Sequence, residues 1–308
     1  MRVLVTGAAG FFGSVIVPRL IAEGHDVICL DTEEGWGSNR RARESWRALP
    51  SDRLSQVFAD ITSSTLESLV PGPFDGVIHL AAMAAPRECD RNPPRAFNIN
   101  VNGTHQVLKL ALQRGARRFV MASSAHVYGV SPKYLPTDER HPLWLQDTYT
   151  TTKILDEQLC QLFHDNYGLS YAALRVYNGY GPGQGLGYFV SDMLLKAREG
   201  RIELMGWDVT KDWVYVDDVA DAYTRALASG FVGAINIGTG REASLGHVAT
   251  VIANAFEAVL TPSPANAPGP TRMLCDASRA FRVLGWQPKV QLEEGLSRTI
   301  EAWRKQTP

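Results

Sequence analysis

Four short apolar runs narrow what this chain can fold into more than any other feature: "RVLVTG" at residues 2–7, "DVICLD" at 26–31, "DGVIHLAA" at 75–82 and "RRFVMASS" at 117–124. Continuous apolarity over so few positions suits strands buried on both faces, the condition of a parallel sheet covered by helices. Helical stretches lie between the runs, at residues 11–23 and 95–114, the second with Val101, Leu108 and Leu112 among its apolar positions and Gly115 at its end. Strand, helix and strand in repetition predict a doubly wound α/β fold with a parallel sheet and right-handed crossovers.

Beyond about residue 177 the alternation loosens into "NGYGPGQGLGY" and "TPSPANAPGP". The predicted organisation is therefore a sheet domain over 1–177 and a smaller, mainly substrate-binding part over 178–308. Residues 212–240 are expected to return to the sheet domain, because "DWVYVDDVADAYTRAL" reads as a strand followed by a helix carrying Val219, Ala222, Tyr223 and Leu227. The chain's 31 basic and 32 acidic side chains nearly cancel without a long basic run, which disfavours nucleic acid and favours a small-molecule partner. Cys29, Cys89, Cys160 and Cys275 form no CxxC pair, and the histidines at 25, 79, 105, 141, 164 and 247 show no ligand spacing, so no metal is expected. No apolar run reaches roughly 18 residues, and Thr6 and Gly7 interrupt the amino terminus before a signal-peptide core. The expectation is a cytoplasmic protein with no membrane segment.

"VTGAAGFFG" sets Gly7, Gly10 and Gly13 between the first strand and the first helix. Gly7 suits a tight turn, Gly10 a close approach of backbone to a pyrophosphate, and Gly13 close packing of helix on strand, with the helix N-terminus facing the phosphates. The whole turn, Phe11 and Phe12 included, is the predicted cofactor cradle. Asp31 ends the second run, where a carboxylate accepts hydrogen bonds from ribose hydroxyls and repels a 2′-phosphate, so the predicted cofactor is NAD. Arg40 and Arg41 nearby could serve NADP instead.

In "DTYTTTKILDEQL", Tyr149 and Lys153 stand four apart and share one face of a helix. Alone, the pair is a weak signal. A phenol with an ordinary pKa of about 10 is a poor base at neutral pH, but an adjacent ammonium and an oxidised nicotinamide both favour the phenolate. Tyr149 could then take a proton from a substrate hydroxyl as that carbon gives up hydride, and Ser124, at the end of the fourth run, could hydrogen-bond the same oxygen.

Over nearly its whole length the sequence resembles the extended short-chain dehydrogenases, the NAD-dependent epimerase/dehydratase family, a Rossmann fold. The resemblance rests on "TGAAGFFG", Asp31, "ADI" at 59–61, "HLAA" at 79–82, "NVNGT" at 100–104, "SSAHVYG" at 123–129, Tyr149 with Lys153, "LRVYNGYGPG" at 174–183, "VYVDDVADA" at 214–222 and "LGWQP" at 284–288, in that order. It implies that Asp60 and Ile61 flank the adenine, that Leu80, Ala81 and Ala82 line the cofactor cleft, and that Asn100 braces the sheet beside it. It also implies that Ser124, Tyr149 and Lys153 do the chemistry, that Tyr177 sits near the nicotinamide and that Asn178 reaches the substrate. A homodimer through the helices at 95–114 and 148–166 is implied as well, the second carrying Ile154, Leu155, Leu159, Leu162 and Phe163, a stripe that could equally be core.

Several positions depart from the family pattern. Relatives that dehydrate nucleotide sugars carry an Asp-Glu pair where this chain has Ala125 and His126, which disfavours dehydration and leaves His126 either a proton shuttle to substrate or a hydrogen-bonded structural residue. An arginine before the "VDDV" segment is replaced by Lys211 in "TKDW", which keeps the charge but loses the bidentate fork. A second arginine is missing where Asn266 and Ala267 stand, leaving Arg272 as the other candidate cation, and Thr152 replaces a serine. The implied function is an NAD-dependent epimerase that inverts C4 of a nucleotide sugar. The rival is net oxidation of a sugar, sugar acid or secondary alcohol, and a third possibility is a regulator that senses the cofactor without turnover.

Overall fold

The computed structural model describes every residue except 39–45, 47, 48, 50, 51, 266–270 and 306–308. Arg40, Arg41, Asn266 and Ala267 lie outside the described residues. The strands are β1 (Arg2–Thr6), β2 (Asp26–Asp31), β3 (Leu54–Phe58), β4 (Gly76–His79), β5 (Arg118–Ser124), β6 (Ser170–Val176), β7 (Asn178–Tyr180), β8 (Arg201–Leu204), β9 (Thr210–Tyr215), β10 (Gly233–Ile237), β11 (Glu242–Ser244) and β12 (Val259–Pro262). Seven of them form a sheet in the order β10-β6-β5-β4-β1-β2-β3, and every neighbouring pair is parallel. The four apolar runs are four of these strands, and their burial explains the pattern: Val3, Leu4 and Val5 of β1 and Phe119, Val120 and Met121 of β5 are wholly enclosed.

The longer helices are α1 (Gly13–Ala22), α2 (Gly103–Gln113), α3 (Thr148–Tyr167), α4 (Phe189–Arg198), α5 (Val216–Ala228), α6 (Leu245–Phe256) and α7 (Leu292–Lys305). On one face of the sheet, Ile16, Val17 and Leu20 of α1 pack with Val219, Ala222 and Tyr223 of α5. On the other, Val107 and Leu108 of α2 pack with Cys160 and Phe163 of α3. The stretch expected as a helix over 95–114 is helical from Pro93 to Gln113, with a π-helical segment at Asn98–Asn102 directly before α2. From β1 the chain passes outward to β2 and β3, then returns to build the other half from β4. The topological switch point therefore lies between β1 and β4, and ligands of such sheets bind outside the carboxyl ends of the strands there.

Outside the large sheet, β11, β9 and β7 form a second sheet and β12 with β8 a third. A separate core gathers Tyr180, Trp213, Tyr215 and Leu296 beside them. The "VDDV" and "LGWQP" segments lock together: Asp218 Oδ2 accepts from the backbone of Lys289 and Val290 at 3.0 Å each, and the Trp286 indole donates to the Asp218 carbonyl at 2.9 Å.

Placement of α3 matters most, because it carries Tyr149 and Lys153. Asp147 caps its start by accepting from Thr150 N at 2.6 Å, and Gly168 ends it in the left-handed region at φ 71°. Beneath it a buried fork joins the helix to the sheet: Arg175 of β6 donates to both oxygens of Glu157, at 2.9 and 2.6 Å. Ser123 Oγ donates to Glu157 Oε1 at 2.5 Å, while Arg175 also meets the Tyr128 hydroxyl at 3.0 Å.

Candidate active site

Gly7 adopts φ +65°, and a Cβ there would stand 2.6 Å from Ala81 N, so the turn after β1 presses on the end of β4 at the switch point. A Cβ on Gly13 would stand 2.2 Å from Ala8 O. Gly10 differs. It is exposed, and a Cβ there would meet one atom of its own turn, Gly7 O at 3.1 Å. No side chain caps the start of α1, and the backbone N–H groups of such a helix start are the donors that hold a pyrophosphate. Gly7 and Gly13 thus serve the fold, whereas Gly10 has the most room of the three for a Cβ and its role is expected to lie in approach to the cofactor. Gly10→Ala is expected to change stability by less than about 1 kcal/mol and to weaken NAD binding about tenfold or more. Gly13→Ala should instead cost about 1–3 kcal/mol of stability, as read by denaturant unfolding beside NAD titration of each variant.

The Asp31 carboxylate accepts from Ala9 N and Thr32 N, each at 2.8 Å, so it ties the glycine turn to the end of β2. Each oxygen retains a lone pair for a ribose hydroxyl. Gly35 makes room for it, since a Cβ there would stand 2.2 Å from Asp31 Oδ1. The sequence signal for Gly35 was a glycine four positions after the acid, and it was missed.

Leu80, Ala81 and Ala82 are half-buried just past β4, on the cleft side of Gly7. Asp60 is exposed and accepts from Thr62 N and Thr62 Oγ1 at 2.8 and 2.7 Å. The Ile61 side chain turns into the core against Gly103. Asn100, wholly buried in the π-turn, accepts from Met83 N at 2.7 Å and donates to Met83 O at 3.1 Å and Thr152 Oγ1 at 2.9 Å. It thereby joins the loop after β4 to α3 through Thr152, whose hydroxyl donates to the Tyr149 carbonyl at 2.8 Å. Its role in this structure is bracing. The Tyr177 ring, expected beside the nicotinamide, packs with Val127, Tyr128, Met273 and Cys275, and its hydroxyl donates to Thr137 O at 3.5 Å.

Tyr149 is buried beside Cys89 and Ala96. Burial pushes its phenol well above the ordinary range, and a hydrogen bond with Ser124 pulls the other way. The structure thus brings Ser124 and Tyr149 together at the carboxyl end of β5. Lys153 is also buried, and its ammonium lies 3.4 Å from Asp156 Oδ2, a partner on its own helix that the expected pairing with Tyr149 did not include. His126 stands edge-on to Tyr149, with ring centroids 6.3 Å apart. Burial, and then the Lys211 charge, lower its pKa, so it is a neutral imidazole at pH 7. Burial brings Lys211 down to about 8, and it remains mostly charged at neutral pH.

Asn178 Nδ2 donates to Asp212 O at 3.1 Å. Arg272 is exposed and engaged in an ion pair with Glu242, Nε to Oε2 at 3.1 Å, so the structure places it at the junction of β9 and β11 with its charge already matched. Tyr188, at the start of α4, lies close enough to Tyr149 that a charge there would raise the Tyr188 phenol further, above what burial already does. Its position in a glycine-rich loop gave no periodic signal. Among the described residues no group of three or more His, Cys, Asp or Glu could hold a metal, and no helix is long and apolar enough to cross a membrane.

A doubly wound sheet with a glycine turn at its switch point and an acid at the end of the neighbouring strand is the scaffold of an NAD-dependent enzyme of the extended short-chain dehydrogenase type. Residues 3–238 match the model of the NAD dependent epimerase/dehydratase family, and the chain belongs to that family. It is 38% identical to a UDP-glucose 4-epimerase of Mycolicibacterium smegmatis over 318 aligned positions covering 100% of both chains. Among solved structures, the UDP-glucose 4-epimerase of Thermotoga maritima with UDP-glucose superposes with a TM-score of 0.87 at 30% identity, covering 99% of each chain. The UDP-N-acetylglucosamine 4-epimerase of Methanobrevibacter ruminantium superposes with a TM-score of 0.91 at 25% identity, again over 99% of each.

Proposed function

We propose that this chain is a UDP-hexose 4-epimerase that oxidises the C4 hydroxyl and re-reduces the resulting ketone on its opposite face. The observation that carries this reading is the closeness of Ser124 to the buried Tyr149, near enough for its hydroxyl to favour the phenolate, so that one substrate hydroxyl could meet both a proton acceptor and a second hydrogen-bond partner there. The relatives above, whose names specify 4-epimerases of UDP-sugars, support the substrate class. NAD, held by the Gly7–Gly13 turn and Asp31, supplies the hydride acceptor and donor. Tyr149 takes the C4 hydroxyl proton and later returns it, so one residue serves as base and then as acid. Ser124 holds the same oxygen in both directions. Lys211 is the cation we assign to the pyrophosphate, because its charge reaches His126, which stands edge-on to Tyr149. His126, neutral and edge-on to Tyr149, offers the sugar a hydrogen-bonding group without a second positive charge.

We also propose a homodimer through the faces of α2 and α3. Leu155 and Leu162 are 37% and 49% exposed on α3, whereas Ile154, Leu159 and Phe163 pack inward. The four cysteines are free and buried, which supports our assignment to a reducing, cytoplasmic compartment. The test of function is a panel of nucleotide sugars, free sugars and sugar acids. Interconversion of a UDP-hexose C4 pair without accumulation of NADH is expected, and stoichiometric NADH from any substrate would favour net oxidation.

A further inference from the structure

Asp156 is a buried acid on α3 that the reaction above leaves unused. Its side chain is 0% exposed, its Oδ2 lies 3.4 Å from Lys153 Nζ, and its Oδ1 has no hydrogen-bond partner among the described residues. From α2, the Thr104 hydroxyl faces the carboxyl, and the same hydroxyl meets His79 Nε2 of β4 at 2.9 Å. His79 is fully buried and neutral, its pKa lowered to about 3 first by burial and then by the Lys153 charge. On α3 itself, Tyr149, Glu157 and Cys160 share Asp156's surroundings, with Glu157 already matched by Arg175 and burial holding the Cys160 thiol protonated. Lys153 is therefore the cation that Asp156 meets.

A carboxylate in such a place, with one cation and one unmatched oxygen, is costly to keep ionised. Burial accordingly pushes Asp156 up to about 7, against the pull of Lys153. The Lys153 ammonium meets the Asp156 carboxyl three positions ahead, and Tyr149 stands four positions behind it on the same helix, at a spacing that puts both neighbours on its face. The two neighbours also oppose each other, since the Asp156 charge adds to what raises the phenol.

We propose that Asp156 is a positioning residue that competes with the Tyr149 phenolate for the Lys153 ammonium, and so sets the pH range in which Tyr149 works as a base. Ionised, Asp156 draws the ammonium and disfavours the phenolate. Protonated, it releases that charge to Tyr149. The proposal rests on Tyr149 being the base, and its test separates the two. Phenolate formation is followed by ultraviolet difference absorbance in the NAD-bound protein without substrate, the Tyr149 signal being the part lost in Tyr149→Phe. Asp156→Asn keeps the shape, and Asp156→Ala serves if the buried amide prevents folding.

In either variant the Tyr149 midpoint should fall by about one pH unit, which gives about fivefold more phenolate one unit below the wild-type midpoint. The acid limb of the kcat profile should move with it. A midpoint that stays in place or rises, with only stability or NAD affinity reduced, would show Asp156 to be structural and overturn the proposal. If Tyr149→Phe kept its turnover, the base assignment would fail whatever the titration showed. An inactive Tyr149→Phe together with an unmoved midpoint would remove the Asp156 proposal alone.

Discussion

Tyr149→Phe is expected to lower kcat by about 10² to 10⁴ while leaving NAD affinity and the melting temperature close to those of the wild type. The substitution deletes one oxygen from a ring packed against Cys89, Ala96 and Met83, so the packing survives. What disappears is the hydroxyl proposed as proton acceptor, which Ser124 lies near enough to influence. Steady-state kinetics on a UDP-hexose pair, beside NAD titration of the same sample, separates the chemical loss from a folding defect. Near-normal turnover would mean that another group accepts the proton, and the neutral His126 at Tyr149's edge would be the next to change.

The second large effect concerns stability. Arg175→Met removes the guanidinium that meets both Glu157 oxygens inside the sheet, where each side chain is 6% exposed. An uncompensated carboxylate is then left buried beside Ser123, and the expected cost is about 3–5 kcal/mol. Urea unfolding of the NAD-free protein measures it. The double change Arg175→Met with Glu157→Leu should recover much of the loss, since no buried charge is then left without a partner. A single variant as stable as the wild type would show that α3 is held to β5 and β6 by packing alone. Because α3 carries Tyr149 and Lys153, the single variant should also lose turnover in proportion to any displacement of that helix.

Much of this molecule was legible in the sequence because its main signals are local. A strand buried on both faces must be apolar throughout, so β1, β2, β4 and β5 announce themselves. A glycine with φ +65° against Ala81, and another whose Cβ would strike Ala8 O, leave a spacing that is visible without the fold. Partner choice across the chain is a different matter. Nothing in Arg272's own segment shows that it pairs with Glu242, 30 positions earlier. Equally invisible locally are the partners of Tyr177, whose ring packs with Met273 and Cys275 from the far end of the chain. The short strands β7, β8, β11 and β12 were not separately legible, since three or four residues give too few positions for a period to show. Asp156 was within reach. It stands three positions after Lys153 on the same helix, a spacing at which side chains meet.

In a 4-epimerase a single carbon is oxidised and re-reduced within one turnover, and an isotope at that carbon tests this most directly. A UDP-hexose carrying deuterium at C4 should be converted to its C4 epimer with the deuterium still at C4 and with no NADH in solution. Appearance of the label in free reduced cofactor, or a stable keto sugar as the end product, would contradict the epimerase account and make this chain a net oxidoreductase.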